Sequence, residues 1–436
     1  ATMSVTYNDG VTGQSTSRDV QGTAVAPALI TVSDGPTYNF GSVANGSSND
    51  KTFTLTNSGT FGASSMTGNG LSAPYTFKGG TYPGSGGTCS TTLAASATCT
   101  IVVNFSPVAS ATYNGTINID YSNGAVTTNS TRNVTGISAP PAVLAISDGP
   151  TYDFGTKATG SSTDKSFNVQ NTGGVAATSV IGTGLSSPFT YKGGSYPGTG
   201  GTCSTTIASG ATCTVVVNYA PSGTGPQSSS ISIGFNDGVA NQTSTRAVQG
   251  TGAAPATLAI SDGPTYDFGS VANGGSADKS LTVTNSGGVP ATALSGAGLS
   301  APYTFKGGTF PGTGGTCTAT LNASATCTMV VNFAPTAAGV ANATLSLTFN
   351  NGVSAGQSTT RDLTGTGVTP AILTLSDGPT FDFGPVVATG SQDKTFTLSN
   401  SGSLQATSMA GSGLSAPYSF KGGSYQSEER RVGKEC

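Results

Sequence analysis

The sequence predicts an all-β fold built from tandem repeats of about 114 residues. Three observations carry that expectation. The tetrapeptide Ser-Asp-Gly-Pro begins at Ser33, Ser147, Ser261 and Ser376, with spacings of 114, 114 and 115 residues, and a fixed internal period decides architecture before any single element is assigned. Apolar residues alternate at period two: from Thr98 to Phe105, one face carries Cys99, Ile101, Val103 and Phe105, as on a half-buried strand. No window shows a sustained apolar stripe at helical spacing, and Gly and Pro interrupt every candidate.

Within a copy the elements follow a set order. Ser-Asp-Gly-Pro is followed by an aromatic-Gly pair: Phe40-Gly41, Phe154-Gly155, Phe268-Gly269 and Phe383-Gly384. Next comes an alternating strand such as Lys51 to Asn57, with Phe53 and Leu55 inward, ending in Asn57-Ser58-Gly59. A Gly-rich loop and a cysteine pair lead to a strand closed by Phe105-Ser106-Pro107, Tyr219-Ala220-Pro221 or Phe333-Ala334-Pro335. Turns at Asn8-Asp9-Gly10, Asn236-Asp237-Gly238 and Asn350-Asn351-Gly352 supply residues that tolerate positive φ, as tight hairpins require. Roughly seven to nine short strands per copy, punctuated by such turns, fit tandem immunoglobulin-like β-sandwich repeats.

The repeat sets the domain boundaries. Residues 1–27 read as the final hairpin of a preceding repeat, because Ala1 to Gly10 matches Ala343 to Gly352. Residues 28–141, 142–255 and 256–370 are complete repeats, and 371–426 form a truncated one. Short Pro-bearing joints (Ser138 to Pro141, Ala253 to Pro255, Val368 to Pro370) leave few free residues between them. Since Pro restricts φ, the array is expected to behave as a semi-rigid rod. Residues 427–436 carry six charges in ten residues, against 29 in the preceding 426. That segment resembles a translated sequencing-library adapter and is excluded from fold reasoning as non-native.

Composition narrows function. Charged residues are 8% of the chain and the net charge is −3, so no basic patch is available to neutralise phosphates and nucleic acid is not an expected partner. No apolar run approaches the ~20 residues of a membrane span. The chain has no His, which removes the commonest general base and zinc ligand. Every Glu (Glu428, Glu429, Glu435) lies in the foreign tail. No catalytic, metal or cofactor-binding residue is assigned, no cofactor is expected, and the chain is read as not an enzyme.

Six of the seven cysteines form pairs with identical spacing: Cys89/Cys99, Cys203/Cys213 and Cys317/Cys327. Each pair flanks a short turn between antiparallel strands and is read as a disulfide. Closing an 11-residue ring would stabilise a module by roughly 3 kcal/mol, less any strain. Two thiols without His make an incomplete zinc site, and redox pairs usually have C-x-x-C spacing. Free buried cysteines are the remaining alternative, in a cytosolic protein.

The order Phe-Gly, alternating strand, Asn-x-Gly, paired cysteines, Phe/Tyr-x-Pro and Gly-Thr-Gly resembles the choice-of-anchor D repeats of bacterial surface and secreted proteins. Those repeats are similar in turn to abnormal-spindle/Hydin-like (ASH) immunoglobulin modules. The resemblance spans residues 1–425. It implies a β-sandwich near the PapD and major-sperm-protein group, carried on modular proteins that are extracellular or attached to the bacterial cell surface. The cysteine pairs speak against the cytosolic setting of the eukaryotic ASH relatives.

Three further features have a functional and a bland reading. The loop from Lys78 to Thr88 recurs at Lys192 to Thr202 and Lys306 to Thr316. It is not a phosphate loop, since no G-K-[ST] follows, and reads as a surface connection whose glycines allow positive φ. Its Tyr82, Tyr196 and Phe310 are candidate ligand contacts, as solvent-facing platforms for a cell-surface glycan or protein. Asp34, Asp148, Asp262 and Asp377, with Asp153, Asp267 and Asp382 nearby, raise calcium, but two carboxylates fall far short of six to eight oxygens. Each Ser-Asp-Gly-Pro Asp is instead expected to brace its own turn. The Asp-Lys pairs at Asp50, Asp164, Asp278 and Asp393 are read as solvated charges of little worth as ion pairs. The functional expectation is a structural stalk or spacer of a cell-surface or secreted protein, with adhesion along its length. The alternatives are glycan or protein binding by the Gly-rich loops, or a non-catalytic fragment of a larger enzyme.

Overall fold

The computed structural model describes residues 1–425; the tail read as foreign, with Cys436, lies outside the described residues. Among the described residues the regular structure is β-strand throughout. The chain divides into two compact units. One holds Ala1–Phe154, Thr163–Ala220 and Gln227–Gly250; the other holds Gly155–Ser162, Pro221–Pro226 and the chain from Thr251 onward.

The first unit begins with β1 (Thr2–Asn8) and β2 (Gly13–Asp19), an antiparallel hairpin exposed on both faces. Eight strands then build the first complete module: β3 (Ile30–Val32), β4 (Thr37–Ala44), β5 (Asn49–Asn57), β6 (Ser64–Asn69), β7 (Tyr75–Phe77), β8 (Thr98–Phe105), β9 (Ala111–Ser122) and β10 (Thr127–Ala139). They form two four-stranded sheets, in the orders β3-β5-β8-β7 and β4-β10-β9-β6. Only the β4–β10 pairing is parallel; the others in this module are antiparallel. This is the two-layer immunoglobulin arrangement, with the leading strand divided between both sheets.

Alternation places the core. Phe53, Leu55 and Asn57 of β5 face inward with Ile101, Val103 and Phe105 of β8, opposite Ile117, Ile119 and Tyr121 of β9 and Val134 of β10. Tyr75 stacks on Phe105 with centroids 4.7 Å apart, and Phe40 tilts against Phe105 at 5.6 Å. The Thr-Gly motif at the end of β10 now has a cause. A Cβ on Gly136 would stand 2.7 Å from the Phe105 ring, and Gly250 and Gly365 meet Tyr219 and Phe333 at the same distance. Each ring lies flat on backbone that only glycine leaves bare.

The second module repeats the first sheet with Leu144–Ile146, Thr163–Asn171, Thr212–Tyr219 and Phe189–Tyr191. Its second sheet gains a short strand, Thr206–Ile207, against Ala177–Thr183. The third module, in the second unit, orders its strands identically and gains Thr320–Leu321 in the same place. In the truncated copy, Leu373–Leu375 pairs with Leu398–Asn400, and both are exposed.

Candidate functional site

Each module concentrates its polar chemistry in four devices that recur with the repeat. The first is the buried Asn that ends β5. Asn285, fully buried, donates through Nδ2 to the carbonyls of Val289, Leu321 and Asn322 at 3.0, 3.1 and 3.1 Å. Its Oδ1 accepts from the backbone of Thr257 (3.2 Å) and Gly287 (3.0 Å). Asn57 and Asn171 occupy the same position, also fully buried and hydrogen-bonded on both amide atoms. A side-chain amide without charge can satisfy donors and acceptors at once in the interior.

The second device is the Ser-Asp-Gly-Pro corner. Asp34 stands in the left-handed region (φ 61°), as do Asp148, Asp262 and Asp377 (φ 69°, 71° and 68°). Its carboxylate does not brace its own backbone, as the sequence led one to expect. It accepts from Ser33 Oγ at 2.5 Å and pairs with Lys51 Nζ at 2.9 Å. The Ser33 hydroxyl and the Lys51 ammonium together hold the Asp34 carboxyl below its ordinary range. Lys51 also lies over the Tyr38 ring, 4.7 Å from its centroid; Lys165, Lys279 and Lys394 do the same over Tyr152, Tyr266 and Phe381. These lysines are therefore bound between carboxylate and ring, not simply solvated, because an ammonium is drawn to an aromatic face. Asp50 pairs with Lys78 at 2.8 Å and accepts from Asn104 at 2.7 Å. The second set of acids caps turns: Asp267 and Asp382 each accept from the amide two residues on, at 2.8 Å. Asp153 accepts from Gln249 at 3.0 Å. Among the described residues no three acids or thiols come together as a metal-binding group.

Arginine supplies the third device, and the sequence reading passed over it. Arg132 of β10 donates from Nε to Ser33 O at 2.9 Å and from Nη2 to Val32 O. Arg246 and Arg361 reach Ile146 O and Ile260 O through Nη2 alone, their Nε atoms being buried without a hydrogen-bond partner among the described residues. The guanidinium thus clips the short leading strand to the far end of its module. The signal was present as Arg18, Arg132, Arg246 and Arg361, which keep the period of the repeat.

The fourth device is the Gly-rich loop with its disulfide. Cys89–Cys99, Cys203–Cys213 and Cys317–Cys327 are bonded, each with Cα atoms 4.9 Å apart. Cys89 lies on the loop's last stretch, where its amide donates to Thr100 O at 3.1 Å, so the bridge fastens loop to strand. The loop folds back on β8: Val102 donates to Pro83 O, and Val102 O fills the space a Cβ on Gly84 would need, 2.2 Å away. Consequently Tyr82, Tyr196 and Phe310 do not face solvent as platforms. They are half-buried, edge-on to Phe77, Tyr191 and Phe305 at 5.6, 5.6 and 5.5 Å. Their rings cover Gly68, Gly182 and Gly296. Burial pushes the Tyr82 and Tyr196 phenols up to about 12.

Taken together, these groups staple, cap and clip. A family model described as HYDIN/CFA65/VesB-like, Ig-like domain matches residues 146–251. No curated protein matches the chain. Among solved structures, the VesB protease of Vibrio cholerae is 19% identical over 25% of this chain and 31% of its own, with a TM-score of 0.21. The ASH/PapD-like domain 7 of human CEP192 is 17% identical over 26% of this chain and 87% of its own, with a TM-score of 0.20. Titin domains I67–I69 are 13% identical over 79% of this chain and 99% of theirs, with a TM-score of 0.28. The chain is a tandem array of immunoglobulin-like β-sandwich modules, each complete one fastened by its own disulfide.

Proposed function

We propose that this chain is the non-catalytic spacer of a cell-surface or secreted bacterial protein, holding a functional domain away from its point of attachment. The observation that carries this reading is repetition of the whole structural kit. Three modules each close their own core cluster and their own disulfide, with the same Asn, Lys–ring and Arg devices. A spacer needs units that are individually stable and interchangeable, and nothing else from each of them. The disulfides favour an oxidising compartment. The likeness in motif order to choice-of-anchor D repeats supports a bacterial surface.

The test is replacement in the native gene. Exchanging the second and third modules for unrelated sandwiches of equal size should leave surface function intact, whereas deleting them should reduce it. Loss of function on exchange would refute the spacer reading and favour ligand binding by the Gly-rich loops. A complementary measurement is small-angle scattering on one-, two- and three-module chains. For domains with a radius of gyration of ~13 Å, the maximum dimension should rise by about 34 Å per module; a dimension that does not grow with module number speaks against a spacer.

A further inference from the structure

At the end of β4 the chain makes a tight turn, Ala44-Asn45-Gly46, repeated as Ala158-Thr159-Gly160. Ala44 is only 3% exposed and Ala158 only 2%, although each ends a strand at the pole of its module. Neither is covered by its own module alone. Ala44 belongs to the core cluster of the second module, and Ala158 to that of the third.

The receiving surface is the same both times. A Cβ on Gly238 would lie 2.9 Å from Ala44 Cβ and 3.2 Å from Val175 Cγ2; a Cβ on Gly352 would lie 3.0 Å from Ala158 Cβ and 3.1 Å from Val289 Cγ2. Both glycines also have positive φ, 95° and 91°. The socket is therefore the Asn/Asp-Gly hairpin turn together with the apolar residue four positions after the buried Asn. Any side chain at that Gly would be strained and would collide with the incoming methyl.

The joint has a second point of attachment. Asn45 donates to Ala139 O at 2.9 Å and Thr159 to Ala253 O at 2.7 Å, tying the turn to the last residue of its own module's final strand. Beyond it, Gly174 donates to Pro140 O (3.0 Å) and Gly288 to Ala254 O (2.9 Å), fixing the linker on the following module. The hairpin glycine recurs as Gly10, Gly124, Gly238 and Gly352, and the place of Val175 and Val289 is taken by the apolar Phe61 and Leu404 in the other copies. The plug position is Ala44, Ala158 and Ala272 in the complete copies and the apolar Val387 in the truncated one.

We infer that the Ala-x-Gly turn is an inter-module plug: an interaction surface whose partner is the hairpin pole of the next repeat, carried by Ala44 seated against Gly238 and Val175 within the first unit. This deepens the spacer reading and rests on it for its use. Its test is made on the purified chain, so its failure would leave the cellular exchange experiment untouched.

The experiment compares the full chain with its Ala44→Arg variant by amide hydrogen exchange. The plug predicts that the amides of Asn45 and Gly174 exchange at least tenfold faster in the variant. The amides of Val103, Phe105, Val215 and Val217, inside the two cores, should keep their rates. Unchanged exchange at Asn45 and Gly174 would overturn the inference. If Arg also strips protection from the cores, Ala44→Gly decides, since it removes the methyl without adding bulk. A two- to threefold acceleration confined to the joint amides then supports the plug, and no acceleration refutes it.

Discussion

Asn285→Ala is expected to make the third module the weakest part of the array. The substitution withdraws five hydrogen bonds at once: three donated by Nδ2 at 3.0–3.1 Å and two accepted by Oδ1 at 3.0 and 3.2 Å. Their backbone partners sit at a fully buried side chain, with little room for water to replace the amide. A net ~1 kcal/mol per lost bond, with part of the loss recovered by relaxation, gives about 4 kcal/mol. That is a large share of the ~5–15 kcal/mol that holds a domain together. At roughly 4 °C per kcal/mol for a domain of this size, the third module should melt about 15 °C early. Calorimetry on the full chain would then show one transition, about a third of the total enthalpy, separating to lower temperature. Asn285→Asp should do no better, because it keeps the acceptors, loses the donors and buries a charge. A shift below 4 °C for either variant would refute the view that this side chain holds the strand ends together.

Other expectations follow from the same contacts. Replacing Cys203 and Cys213 by Ser should cost the second module roughly 3 kcal/mol, on the entropy of an 11-residue ring; a melting temperature indifferent to reductant would contradict it. Arg132→Met should cost about 3 kcal/mol through two charge-assisted bonds, and hydrogen exchange should show the loss first at Ile30 to Val32. Tyr191→Phe with Tyr196→Phe should stabilise the second module by about 1 kcal/mol, because both hydroxyls are buried without a hydrogen-bond partner among the described residues; the third module already carries Phe305 and Phe310 there. A measured destabilisation would show those hydroxyls to be satisfied. Thermal stability should be flat from pH 5 to 8 and fall only in acid. The Asp34, Asp148 and Asp262 carboxyls are lowered by their Ser and Lys partners, so their contribution is complete above the unfolded carboxylate pKa and is lost as pH falls through the folded one. A transition near pH 6–7 would contradict this in a chain that has no His.

Much of the fold was legible because it depends on neighbours in the chain. Period-two alternation in β5 and β8, the Asn/Asp-Gly turns and the cysteines ten residues apart are local signals, and the 114-residue period multiplied each of them. What stayed hidden joins residues far apart in sequence. Arg132 reaches Val32 and Ser33 across about 100 positions, and nothing in its own surroundings names those carbonyls. Asn57 looked like the polar end of a strand, yet it is among the most buried residues, because five backbone partners from three segments converge on it. Tyr82 lies in a loop whose glycines allow positive φ, a pattern equally compatible with a ring facing solvent. Those glycines instead let the loop lie down on β8, and the ring went with it.

The placement of the cysteines bears on how the array would yield to pulling. Each bridge spans a sequence separation of only 10 residues. At ~3.4 Å per residue, a stretched module would forfeit about 35 Å of contour out of nearly 400 Å. Reducing agent would therefore change the force at which a module gives way far more than the length it releases, and an intact array would absorb work by paying out almost its entire backbone, one sandwich after another.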